Sequence, residues 1–84
     1  MPLGYDFSLD REAVMAFAQC SPPEQRLLLA ACERVARHPF ATGDCPMRGE
    51  HGRQNDLLDL GEFVLSFWVD HAVRVVRIVA IERT

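Results

Sequence analysis

Leu57-Leu58-Asp59-Leu60, Phe63-Val64-Leu65-Ser66-Phe67-Trp68-Val69 and Val73-Arg74-Val75-Val76-Arg77-Ile78-Val79-Ala80-Ile81 are three short apolar runs, separated only by Gly61-Glu62 and by Asp70-His71-Ala72. Val, Ile, Phe and Trp suit a pleated, partly buried surface, and breaks this short suit hairpin turns. The stretch from Asp56 to Arg83 therefore predicts a three-stranded antiparallel meander. Such a meander presents one broad sheet face that the rest of the chain must cover.

The N-terminal half supplies the cover. Tyr5, Phe7 and Leu9 alternate with Asp6 and Ser8, which predicts a short first strand from Leu3 to Leu9. Asp10 is placed to cap a helix running to about Cys20, with Ala13, Val14, Phe17 and Ala18 as its apolar stripe. Ser21-Pro22-Pro23-Glu24 combines a Ser N-cap, proline at the first helical position and Glu three residues past the cap, which is a capping box. The second helix then runs to about Arg37 with Leu28, Ala31, Cys32 and Val35 on one face, and His38-Pro39 stops it. Phe40 to Arg53 lacks periodicity, contains Pro46 and reads as a polar loop. The expected fold class is α+β: one two-layer domain over residues 1–84, ordered strand–helix–helix–strand–strand–strand, with a helical hairpin on one face of a mostly antiparallel sheet.

Composition narrows the function. The formal net charge of −3 builds in no long-range attraction to nucleic acid. All nine basic residues are arginine, which holds phosphates and carboxylates but does not release its proton. Acid–base work would fall to His, Asp, Glu or Cys. Cys20, Cys32 and Cys45 form no CxxC pair and no leader precedes them, so free thiols in a reducing cytoplasm are expected. No run approaches membrane-spanning length. The Cys/His spacings match no structural zinc pattern, so neither metal nor other cofactor is expected.

The ordered set of segments resembles the RelE/ParE superfamily of toxins from bacterial type II toxin–antitoxin pairs, some of them plasmid-stabilising. The likeness rests on Tyr5-Asp6-Phe7-Ser8-Leu9-Asp10-Arg11-Glu12-Ala13 opening the first helix and on Val35-Ala36-Arg37-His38-Pro39 closing the second. It rests equally on Met47-Arg48-Gly49, on the run from Gly61 to Asp70, and on Ile78 to Arg83. The resemblance implies a toxin silenced by a cognate antitoxin and acting on ribosome-bound messenger RNA or on DNA gyrase. In RNA-cleaving relatives, basic side chains on the exposed sheet face hold the scissile phosphate without metal. Arg83 falls where that branch has its last-strand arginine, a phosphate clamp. Gln54 and Asp56 stand where it has basic residues, Phe63 stands where it has an arginine, and no tyrosine or histidine follows Arg83. Losing those cations weakens stabilisation of an anionic phosphoryl transition state, so a role exerted by binding is expected ahead of cleavage.

Strand alternation assigns candidate residues to faces. Val73, Val75, Arg77, Val79, Ile81 and Arg83 would share one face of the last strand, and the family alignment makes the Arg83 side the open one. Phe63, Leu65, Phe67 and Val69 would then stand on that open face, while Val64, Ser66 and Trp68 meet the helices. An apolar face rimmed by Arg77 and Arg83 implies a protein partner, an antitoxin or a second copy of the chain. Arg48 and Arg53 in the loop are further contact candidates. His51 and Asp56 are the candidate acid–base pair beside Arg83. Two alternatives stand beside the toxin reading: a non-toxic interaction module, and a ribosome-dependent endonuclease using His51, Asp56 and Arg83.

Overall fold

The computed structural model describes residues 4–40, 45–48 and 54–84; for residues 45–48 and 54 it describes the backbone path alone. The elements are β1 (Asp6–Leu9), α1 (Arg11–Ala18), α2 (Pro22–Arg37), β2 (Cys45–Arg48), β3 (Gln54–Asp59), β4 (Phe63–Asp70) and β5 (Val75–Arg83). They form a five-stranded sheet in the order β1-β5-β4-β3-β2, with both helices on one face. The expected meander is β3-β4-β5, paired antiparallel throughout, and β1 lies parallel to β5.

Local chemistry explains the joints. The capping box forms in full: Ser21 Oγ accepts from the Glu24 N–H, and the Glu24 carboxylate accepts from the Ser21 N–H. Asp10 caps α1 through its backbone carbonyl, which accepts the Val14 N–H at 2.9 Å, and makes no side-chain cap bond. At the first hairpin the Asp59 carboxylate accepts the Gly61 N–H at 2.8 Å, and Gly61 takes φ +90°, a conformation that only glycine adopts without strain. Asp70 does the same for the Ala72 N–H at the second hairpin, where Arg74 adopts φ 59°.

Three expectations need correction. The stretch read as a polar loop contains β2, which pairs with β3. Pro46 is tolerated in it because β2 is an edge strand, one side of which has no ladder to interrupt. On α1, Val14 and Ala18 are exposed; Ala13, Ala16 and Phe17 reach the core, joined by Cys20 just past the helix end.

The third correction concerns the faces. Phe63, Leu65 and Phe67, read as an open partner-binding surface, are 2%, 0% and 2% exposed beneath the chain's own helices. Burying each such side chain contributes about 1.5–3 kcal/mol. The greasier face of β4 therefore takes the helices, and Val64, Ser66, Trp68 and Asp70 alternate onto the face without helices, where Ser66 is still enclosed by its neighbours at 4% exposure. An obligatory companion or a homodimer built on Phe63, Leu65 and Phe67 is ruled out, because the monomer covers them itself. A β-bulge completes the change: Phe67 pairs with Ile78 but Ser66 pairs with Ala80, so Val79 is the extra residue. Arg77 and Arg83, expected on one face, thereby stand on opposite faces. The core joins these β4 side chains to Ala13, Leu28, Ala31, Cys32, Ala36, Val76, Ile78 and Ile81.

Candidate functional site

Arg83 ends β5 on the helix-bearing side, directly opposite Phe63. Its guanidinium carbon lies 4.8 Å from the Phe63 ring centroid, a cation–π contact that orients the plane. Nη1 donates to Glu24 Oε2 at 2.7 Å and Nη2 to Oε1 at 3.4 Å. Glu24 Oε1 also accepts the Ser21 N–H at 2.8 Å. One carboxylate thus closes the capping box of α2 and anchors the end of β5. The hydrogen bond from Arg83, then that from Ser21, pulls the Glu24 carboxyl down to about 2. The same bond raises Arg83 above its ordinary value. Thr84 fastens the strand end further, its N–H donating to the Glu62 carbonyl and its hydroxyl to the Gly61 carbonyl at 2.7 Å.

Beside this pair, Ala16, Gln19, Cys20, Phe63, Ile81 and Arg83 line a cavity of about 180 Å³ between the end of α1 and the ends of β4 and β5. Ala16, Cys20, Phe63 and Ile81 share its walls with the polar side chains of Gln19 and Arg83. The Cys20 thiol donates to the Ala16 carbonyl at 3.3 Å.

Arg77 lies on the bare face, where Nη1 reaches Ser8 Oγ at 3.4 Å and Trp68 is its cross-strand neighbour. Asp6, Asp59, Asp70 and Glu82 share that face. Among the described side chains it is therefore acidic and gives a phosphate backbone little to hold. Asp56 stands opposite Phe67, which places it roughly 13 Å along the strands and about 10 Å across them from Arg83. At that separation the two do not act on one atom. His51 and Arg53 lie outside the described residues, as does the side chain of Arg48. Among the described residues, no group of three or more His, Cys, Asp or Glu side chains is placed to hold a metal ion, and no helix is long and apolar enough to cross a membrane.

Two features escaped the sequence reading. Glu24 was legible as a capping residue, but its long-range partner was not. Tyr5, Phe40 and His71 also meet at the far end of the sheet. Phe40 stacks on His71 with centroids 4.9 Å apart, and the Tyr5 hydroxyl and His71 Nδ1 share a 2.9 Å hydrogen bond. Nothing in their spacing signals that meeting.

By sequence, no family model and no curated protein matches the chain. By structure, a chain of the toxin–antitoxin complex RelBE2 from Mycobacterium tuberculosis superposes with TM-score 0.72 over 98% of this chain and 100% of its own, at 21% identity. A chain of the archaeal RelE–RelB complex from Pyrococcus horikoshii OT3 gives 0.74 over 94% and 93%, at 15% identity. The isolated E. coli RelE toxin gives 0.74 over 95% and 84%, also at 15%. The chain has a RelE-like fold, and it spans nearly the full length of these neighbours.

Proposed function

We propose that this chain is the toxin-like component of a type II toxin–antitoxin pair, neutralised by a cognate antitoxin and acting by binding more than by cleavage. The observation that carries the reading is the end-to-end likeness to chains crystallised as RelE toxins, two of the three within toxin–antitoxin complexes. Fold alone does not specify activity, so the target is argued from the site. The acidic bare face, Phe63 in the core and the separation of Asp56 from Arg83 all disfavour a phosphate-gripping nuclease. A gyrase-directed role, or one on translation by occupancy, keeps what the chain retains.

Induced expression in bacteria without its neighbouring genes tests the proposal. Growth arrest reversed by the adjacent small gene product is the expected result. Unhindered growth at high soluble expression favours the second reading, a non-toxic interaction module of the same fold. Cleaved ribosome-bound messenger RNA in arrested cells, lost in Arg83→Ala, would instead establish the endonuclease.

A further inference from the structure

At the opposite end of β5 from Arg83, three chain segments meet around a strained residue. Arg74 ends the turn between β4 and β5 at φ 59°. That left-handed conformation costs a residue with a side chain about as much as one net hydrogen bond returns. Among the described residues the Arg74 side chain makes no ion pair or hydrogen bond that would hold it there. What holds it is the neighbouring strand: the Arg74 carbonyl accepts the Asp6 N–H at 3.1 Å, the first rung between β5 and β1.

Tyr5, one residue ahead of that rung, reaches the same hairpin. Its hydroxyl shares the 2.9 Å hydrogen bond with His71 Nδ1, and its ring stands edge-on to His71 and to Phe40, with centroids 5.6 and 6.0 Å away. Phe40, just past the end of α2, stacks on His71 at an interplanar angle of 11°. Phe40 is 79% exposed and His71 is exposed too, so these contacts form with little burial behind them. Ring contacts and one hydrogen bond return about what the Arg74 backbone costs. Two nearly equal terms of opposite sign make a two-state element. Further along β1 the balance is different: Phe7 and Leu9 pack against the core, and the Asp10 N–H reaches the Ile78 carbonyl at 2.8 Å. Opening therefore stops at the Asp6 N–H. We infer that the Tyr5–Phe40–His71 cluster is a latch on the leading end of β1, set against the backbone strain stored at Arg74. Closed, it keeps the Asp6 rung; open, it lets Arg74 relax and leaves the Arg74 carbonyl unpaired at the rim of the sheet. The latch stands whether or not the chain is a toxin.

Amide hydrogen exchange of the purified chain tests the latch, with the Asp10 amide as internal reference. In the unaltered chain Asp6 should exchange through small openings while Asp10 waits for much larger ones. Tyr5→Phe keeps the ring and removes the hydroxyl. It should lower Asp6 protection about two- to ten-fold, the range of one net hydrogen bond, and leave Asp10 unmoved. Arg74→Gly removes the strain and should raise Asp6 protection about two- to five-fold. Arg74→Asn, which tolerates the same backbone without the added freedom of glycine, should move it in the same direction. These two variants separate a sprung latch from ordinary packing, because a plain surface contact has no reason to tighten when an arginine is removed. Asp6 and Asp10 exchanging together, only on unfolding of the entire chain, would overturn the inference. So would Arg74 variants that leave Asp6 protection unchanged or lower it, or a Tyr5→Phe variant in which Asp6 is as protected as before.

Discussion

At the scale of single residues, Glu24 does two jobs with one carboxylate, and both favour its ionised form. Its carboxyl ordinarily titrates at 4.5 and is held at about 2 in the folded chain. A depressed folded value means that the stabilisation is complete above 4.5 and disappears as pH falls towards 2. Urea midpoints of the native chain and of Glu24→Gln should therefore differ by a constant amount at neutral pH and converge between those limits. Cys32 behaves in the opposite sense. Burial pushes its thiol up to about 11, and the thiolate is the species that alkylates. Iodoacetamide near pH 8, with peptide mapping, should label half-exposed Cys20 quickly and reach Cys32 only as fast as the chain unfolds. Burial, not sequence spacing, separates the two.

At the scale of elements, β4 decides which side of the sheet is the inside. Replacing Phe63 with alanine should cost the isolated monomer about 3–5 kcal/mol in urea unfolding, a large fraction of what a chain this short holds. A partner-facing Phe63 would cost far less in the absence of a partner. The elements themselves were largely legible: the capping box, the Asp-rich hairpin turns and the apolar runs located α2 and the meander from local rules. The inside–outside assignment was not, for two physical reasons. Alternation separates faces without saying which one is wet, and the position of Arg83 points one way while the summed greasiness of Phe63, Leu65 and Phe67 points the other. Val79 then shifts the count by one, and a bulge leaves no mark in an unbroken run of Ile78-Val79-Ala80-Ile81. β2 was missed because four residues with a proline carry no alternation of their own; their order comes from the open edge of β3. The candidate site suffered most, since the Glu24–Arg83 pair joins residues 59 positions apart.

At the scale of the whole molecule, the helices rest chiefly on β5 and β1, and the β3–β2 side of the sheet extends past them. Val76 and Ile78 are fully enclosed, whereas Asn55, Asp56 and Leu57 are only half-buried. Among the described residues the sheet is thus a cantilever, clamped along one margin and held on the other by ladder hydrogen bonds and by Leu58 and Leu60 packed against the edge of the core. Local opening is least costly where few apolar contacts resist it. Amide hydrogen exchange should record a gradient across the strands: the Val76 and Ile78 amides should exchange only when the entire chain unfolds, and those of Asp56 and Leu57 through far smaller openings. Uniform protection from β5 to β3 would refute the cantilever. If the gradient holds, the overhanging strands are the part of this protein that can reshape to meet a surface without disturbing the clamped margin that keeps it folded.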